Sequence, residues 1–148
     1  MSEDLAALYQ RVILDHSKSP RNYRAIDRAR EAEGHNPLCG DRLTIYLRLE
    51  GDRIVDVSFL GTGCAIAVAS ASMMTEVVRG KTVGEAEALV ASLRRLITSP
   101  SDAPSDNLGP IAALAGVRRF PLRQKCATLP WHALVAGASQ CVPSVSTE

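Results

Sequence analysis

The stretch LTIYLRL at residues 43–49 decides the fold, because apolar and polar side chains alternate along it. A period of two residues places the apolar side chains on one face, as in a β-strand with one buried face. After a Glu-Gly-Asp turn at residues 50–52, the stretch VDVSF at residues 55–59 repeats the alternation. The two runs therefore predict an antiparallel hairpin, to which residues 31–36 add a short flanking strand.

Helical patterns lie on both sides of this hairpin. Apolar residues near the N-terminus follow the i, i+3, i+4 spacing of an amphipathic helix, with Ser2 as its candidate N-cap. Thr82 and Glu85 form a predicted capping box at the start of a later helix, and Pro130 predicts a kink or a restart in the last one. The predicted helices cover residues 2–16, 64–79, 82–97 and 121–138, with a short helix that begins at Pro110 and ends before Gly116.

This order of elements indicates an α+β fold: a small antiparallel sheet of about three strands with helices packed on one face. A length of 148 residues fits one ordinary domain, so we expect residues 1–148 to form a single domain. The last residues, from about 143, are expected to be a frayed or disordered tail.

Charge and hydropathy exclude several classes of function. Seventeen Lys and Arg residues against sixteen Asp and Glu give a net charge of +1, so no basic field is available to hold a nucleic acid backbone. The N-terminus is acidic and no stretch is apolar enough for a membrane span, which favours a cytoplasmic protein without a membrane role. Thiols stay reduced in that compartment, so the four cysteines are metal ligands, reactive thiols or buried small residues.

Three of the cysteines lie at loops or element ends. Cys39 precedes the first clear strand with Asp41 two residues later, Cys64 lies where a glycine-rich turn meets a helix, and Cys126 lies in the C-terminal helical region. Three thiolates and one carboxylate would complete a tetrahedral zinc site. Spacing alone favours plain burial over metal binding, because the chain has no pair of CxxC motifs to form a local metal knuckle and free cysteine is among the most commonly buried residue types.

Several motifs carry a resemblance to a known family. They are NPLCGD at residues 36–41, GTGCAI at 61–66, ASASMM at 69–74 and KCATL at 125–129. Taken together and in this order, they resemble the U-type iron–sulfur cluster assembly proteins, the IscU/NifU-like family. Lys125 stands where the IscU scaffold branch carries a histidine, and residues 81–104 resemble the extra segment of the SufU branch. Both features favour SufU-type members.

The resemblance implies a site and a reaction. It implies that Cys39, Asp41, Cys64 and Cys126 bind Zn²⁺, and that the protein is a sulfurtransferase acting with a PLP-dependent, SufS-like cysteine desulfurase, whose PLP stays on that partner. A histidine of the partner would replace Cys39 on the zinc, and Cys39 would accept the persulfide sulfur for the downstream iron–sulfur assembly machinery. Arg123 and Lys125 would support the negatively charged site.

Two other functions and several simpler interpretations stay open. The chain could be a scaffold that binds a [2Fe–2S] cluster transiently, or a structural zinc module without transfer activity. Cys141 is interpreted as an incidental thiol near the tail, and His16 either contacts a partner or interacts with the dipole of its helix. His35 is a candidate neighbour of the ligands, and His132 is expected on a helix surface.

Overall fold

The computed structural model describes residues 2–37, 39–98, 109–139 and 144–146. In chain order, its elements are α1 (Ser2–Lys18), β1 (Arg30–Asn36), β2 (Asp41–Glu50), β3 (Arg53–Thr62), α2 (Ala65–Val78), α3 (Val83–Thr98), a 3₁₀ helix (Gly109–Arg119), α4 (Pro121–Ser139) and β4 (Ser144–Ser146). None of the helices in these ranges has the length and apolar character that spanning a membrane requires.

The sheet has the strand order β3-β2-β1-β4. The predicted hairpin is confirmed, since β2 pairs antiparallel with β3, and the predicted flanking strand is β1, which pairs antiparallel with β2. Buried and more exposed side chains alternate along β2, as the sequence predicts. The apolar side chains of one face are buried, at Leu43, Ile45 and Leu47 of β2 and Val57 and Phe59 of β3.

Helices α2 and α4 cover this buried face, and α1, α3 and the 3₁₀ helix pack around them. One close contact between sheet and helix uses glycine: a Cβ at Gly34 of β1 would lie 3.0 Å from the Leu129 side chain of α4. Trp131 of α4 is fully buried, and its indole N–H donates to Ser70 Oγ of α2 at 2.9 Å. The strands and helices therefore share one core, which confirms the α+β class.

Two helix boundaries follow from local chemistry. The predicted capping box is confirmed: the Thr82 N–H donates to Glu85 Oε1 at 2.9 Å, and the Glu85 N–H donates to Thr82 Oγ1 at 3.1 Å. Gly80 follows α2 with φ of +87°, as a glycine after a helix end commonly does. Its N–H donates to the Ile54 carbonyl at 2.7 Å, so this glycine also ties the helix end to β3.

The structure differs from the sequence prediction at three places. The 3₁₀ helix continues past Gly116, so this glycine does not end the helix. It leaves room instead for the Tyr9 ring of α1, which packs closely against it. Helix α4 runs through Pro130 without a restart, although the missing proline N–H leaves the Cys126 carbonyl without its usual helical donor. Ser144–Ser146 form β4, parallel to β1, within the segment expected to be frayed.

Candidate metal centre

The loop between β1 and β2 positions the first two candidate ligands. Asn36 and Asp41 face each other as the last pair of the β1–β2 ladder, and the Cys39 N–H donates to the Asn36 carbonyl at 3.2 Å. Gly40 has φ of +71°, a conformation that glycine adopts without strain. This tight turn leaves Cys39 half-buried at the loop, while Asp41 is fully buried as the first residue of β2.

The second segment of the site is the turn into α2. Cys64 is the N-cap residue of α2, and its N–H donates to Asp41 Oδ1 at 2.7 Å. Gly63 lies against the same carboxylate, since a Cβ there would be 2.7 Å from Asp41 Oδ1. The backbone of residues 63 and 64 therefore fixes one oxygen of Asp41.

The candidate ligands converge from distant parts of the chain. Cys39 Sγ, one carboxylate oxygen of Asp41 and Cys126 Sγ all lie within 4.8 Å of one another. Cys64 joins them through Asp41, because its Sγ lies 3.9 Å from Asp41 Oδ2. The sequence-predicted set therefore meets in one place, with Cys126 and Asp41 buried and Cys39 and Cys64 half-buried.

Two of the thiols interact strongly with each other. A hydrogen bond with Cys126 lowers the pKa of Cys64 to about 6, against the opposing effect of burial, and N–H groups at the start of α2 assist. The same hydrogen bond, together with burial, raises the pKa of Cys126. At neutral pH the pair therefore favours a thiolate at Cys64 and a thiol at Cys126, whose proton a metal ion would displace.

A cation lies beside the candidate acceptor thiol. The Arg123 guanidinium, at the start of α4, is 3.6 Å from Cys39 Sγ. A hydrogen bond with Cys126 and the charges of Cys64 and Cys39 raise the pKa of Arg123 further, so the guanidinium stays charged. Lys125 is half-buried on the same helix. Arg123 thus sets positive charge against the sulfur of Cys39.

Two residues near the site were not predicted as part of it. Asn36 is fully buried, and its Nδ2 lies 3.4 Å from both Asp41 Oδ2 and Cys126 Sγ. Its position could have been found from the alternation of β1, which puts Asn36 on the inward face with Ala32 and Gly34. Tyr9 is the other: burial raises the pKa of its phenol, and Arg123 and Cys64 contribute opposing charge effects.

The remaining histidine and cysteine predictions have mixed outcomes. His16 lies in the last turn of α1, where the helix-dipole interpretation places it. It is also buried, with Nδ1 2.7 Å from Ser72 Oγ of α2. His35 is half-buried on β1 and lies outside the ligand cluster. His132 is half-buried, and burial together with the charge of Arg94 lowers its pKa. Cys141 lies outside the described residues.

The donor set fits zinc. Thiolate sulfur and carboxylate oxygen are its usual ligands, and sulfurs bound to one tetrahedral ion with Zn–S of about 2.3 Å lie roughly 3.8 Å apart. The separations of up to 4.8 Å among Cys39, Asp41 and Cys126 require only small side-chain movements to reach this arrangement. Arg123 at 3.6 Å from Cys39 Sγ suits a site whose ligands carry excess negative charge.

Known proteins match this chain over most of its length. Residues 8–127 match the family described as NifU-like N terminal domain. The zinc-dependent sulfurtransferase SufU of Bacillus subtilis is 41% identical over 137 residues, covering 93% of each chain. The iron–sulfur cluster assembly scaffold protein IscU of Streptococcus pyogenes is 40% identical over 127 residues, covering 86% of this chain and 80% of the relative.

A solved structure has the same fold. A Fervidobacterium islandicum protein, provisionally described as an iron–sulfur cluster assembly scaffold for the SUF system, superposes with a TM-score of 0.82 at 37% identity. The match covers 89% of this chain and 97% of that one. On its sequence, its fold and the meeting of its three cysteine-containing motifs in one cluster, this chain belongs to the NifU-like N-terminal domain family, which includes SufU- and IscU-type iron–sulfur cluster assembly proteins.

Proposed function

We propose that this chain is a zinc-dependent sulfurtransferase, which accepts persulfide sulfur from a PLP-dependent, SufS-like cysteine desulfurase and supplies the downstream iron–sulfur assembly machinery. The observation that carries the proposal is the cluster of Cys39, Asp41 and Cys126, with the half-buried Cys39 facing Arg123. The SufU relative is itself named a zinc-dependent sulfurtransferase. Reduced thiols are required, so the proposed place of action is the cytoplasm.

The four proposed ligands have different freedom to move. Asp41 and Cys126 are fully buried, and Cys64 is anchored at the start of α2 by its N–H bond to Asp41. Cys39 lies on a turn whose described backbone bond joins its N–H to Asn36. Bound zinc would keep the thiolates deprotonated at neutral pH without taking part in redox chemistry. Cys39 is therefore the ligand best placed to leave.

The proposed transfer is a thiol–persulfide exchange. The Cys39 thiolate attacks the outer sulfur of the donor persulfide, a new S–S bond forms at Cys39, and the donor cysteine leaves as a thiolate. The exchange is balanced without an added oxidant or reductant. Arg123 stabilises the anionic sulfur at Cys39 before and after the exchange, and Lys125 contributes further positive charge to the site.

Metal analysis and desulfurase turnover test this proposal. The purified chain should contain one zinc ion per molecule, and it should accelerate a cysteine desulfurase in the presence of a thiol reductant. The variant Cys39→Ser should lose persulfide acceptance, measured by mass spectrometry, while its circular dichroism spectrum shows a folded chain. Cys141→Ser is the matched control and should behave as wild type. Full acceptance by the Cys39→Ser variant would refute the assignment.

A second candidate function is a scaffold for a [2Fe–2S] cluster, favoured by the name and 40% identity of the Streptococcus pyogenes relative. Anaerobic incubation with iron and sulfide separates the two. A scaffold gives a stable visible chromophore that a recipient protein can take up intact, whereas the proposed sulfurtransferase stays colourless and holds zinc. Zinc without stimulation of a desulfurase would instead indicate a structural zinc module.

A further inference from the structure

Asn36 occupies an unusual position for an amide side chain. It is the last residue of β1, and its side chain is fully buried on the face that carries the core. Its Nδ2 lies 3.4 Å from Asp41 Oδ2 and 3.4 Å from Cys126 Sγ. Its Oδ1 is buried and has no hydrogen-bond partner among the described residues.

The chemistry of the ligands fixes how this amide is oriented. A carboxylate and a thiolate only accept hydrogen bonds, so the NH₂ group and not the carbonyl oxygen must face them. An amide nitrogen carries two protons, one for each acceptor. The unpartnered Oδ1 is then the cost of this orientation, since a buried polar atom without a partner is unfavourable. A leucine of similar size would avoid that cost, which indicates that the amide serves the site and not the core.

We propose that Asn36 is a positioning residue of the zinc site, whose amide holds the Asp41 carboxylate and the Cys126 thiolate as the fixed ligands. This inference rests on the proposed zinc binding, but not on sulfur transfer. Hydrogen bonds of this kind orient metal ligands and reduce the electron donation of a thiolate to the metal. The Asn36 carbonyl also accepts the Cys39 N–H, a backbone bond in which the side chain takes no part. The side chain of Asn36 therefore contacts the two fixed ligands, Asp41 and Cys126, whereas only its backbone contacts the movable ligand, Cys39.

Two variants of the full chain test the role. Asn36→Leu keeps the volume and removes the amide, and Asn36→Asp keeps the shape and replaces the NH₂ group with oxygen. Each should weaken zinc affinity on the order of 10- to 100-fold, measured by competition with a chromophoric chelator. Each should also shift the sulfur-to-metal charge-transfer absorption of the Co²⁺-loaded chain. For Asn36→Leu the shift should be to longer wavelength, because the Cys126 thiolate donates electron density to the metal more strongly without its hydrogen bond.

The control is Ser58→Ala, which removes the hydrogen bond from Oγ of another buried polar residue of the sheet to the Arg24 carbonyl at 2.6 Å. It should lower the melting temperature of the metal-free chain and leave zinc affinity and the Co²⁺ spectrum unchanged. Asn36→Leu should leave the melting temperature of the metal-free chain undiminished, and it should change both the zinc affinity and the Co²⁺ spectrum. Wild-type zinc affinity and spectrum in both Asn36 variants would overturn the positioning role, whereas a wild-type chain that binds no zinc would overturn the proposed function itself.

Discussion

At the scale of single residues, the site depends on its glycines as much as on its candidate metal ligands. Gly61 has φ of +143°, and a Cβ there would clash with the Arg42 carbonyl where β3 pairs with β2. Gly63, two residues later, leaves room for the Asp41 carboxylate, whose Oδ1 would lie 2.7 Å from an added Cβ. These glycines let the turn into α2 approach β2 closely enough to bring Cys64 to Asp41.

Substitution of Gly63 by alanine should therefore impair metal binding. The new methyl group must displace the Asp41 carboxylate, which weakens its bond with the Cys64 N–H. We expect zinc affinity to fall by roughly tenfold or more, as for other changes beside a metal ligand. Chelator competition on the purified variant measures it.

Gly84→Ala is the control for this prediction. Gly84 lies in α3, where the nearest atom to an added Cβ is Thr82 Oγ1 at 4.0 Å. Alanine should leave zinc affinity unchanged and stabilise the helix by about 0.5–1 kcal/mol. Equal zinc affinity in both variants would show that Gly63 does not position Asp41.

At the scale of elements, a polar cluster joins α1, the loop after it and α2. His16 Nδ1 lies 2.7 Å from Ser72 Oγ, which also accepts the Arg21 N–H at 2.8 Å, and Asn22 Nδ2 donates to Thr75 Oγ1 at 3.0 Å. His16 Nε2 lies 3.9 Å from the exposed Glu76 carboxylate. The cluster fixes α1 on α2, the helix that begins beside Cys64.

This cluster predicts a dependence of stability on pH. Burial, assisted by the charge of Arg21, lowers the pKa of His16, and Glu76 and Asp15 only partly oppose the shift. The unfolded chain, with an ordinary histidine pKa of about 6.5, then binds protons that the folded chain does not. The contribution of His16 to the free energy of unfolding is therefore complete above about pH 6.5. It is lost as the pH falls below that value, by at most about 1.4 kcal/mol per pH unit.

Urea unfolding between pH 7.5 and pH 5.5 measures this contribution. His16→Asn retains a group that can bond Ser72 Oγ and cannot be protonated, so its stability should fall less steeply than that of wild type. His132→Asn is a necessary second control, because burial also lowers the pKa of His132. Parallel curves for wild type and His16→Asn would contradict the prediction.

The sequence predicted the elements whose signals are local. Alternation at residues 43–49 and 55–59 predicts the hairpin, and the capping box places the start of α3 within one residue. Strand β4 has no such signal, because it exists only by pairing with β1, far away in the chain. The burial of His16 and the contacts of Asn36 with Asp41 and Cys126 also depend on tertiary packing, which a residue's neighbours in sequence do not reveal.

At the scale of the whole molecule, the candidate ligands connect three segments that meet only in the folded chain. Cys39 and Asp41 belong to the β1–β2 turn, Cys64 to the start of α2 and Cys126 to α4. Below the site, Trp131 of α4 donates to Ser70 of α2, and Ser70 Oγ donates to the Ala127 carbonyl at 2.6 Å. The packed core thus sets the distance between Cys64 and Cys126, and zinc would act as a crosslink above it.

Removal of zinc should therefore lower the stability of the whole chain, and the loss should depend on which ligand is removed. Zinc at about a thousand times its dissociation constant stabilises by about 4 kcal/mol, which corresponds to about 8–16 °C in melting temperature for a chain of this size. Cys126→Ser removes the buried ligand on α4 and should melt at the same temperature with and without zinc. Cys39→Ser leaves the three fixed ligands and should keep part of the zinc-dependent increase.

Calorimetry of the three chains, each with zinc and with a chelator, measures the difference. The expected order of the zinc-dependent increase is wild type, then Cys39→Ser, then Cys126→Ser, because Cys39 is half-buried on a turn and Cys126 is fully buried in the core. Equal loss in both variants would mean that Cys39 is as firmly bound as Cys126. Such a site could not release Cys39 alone, and the proposed exchange would need a different movable ligand.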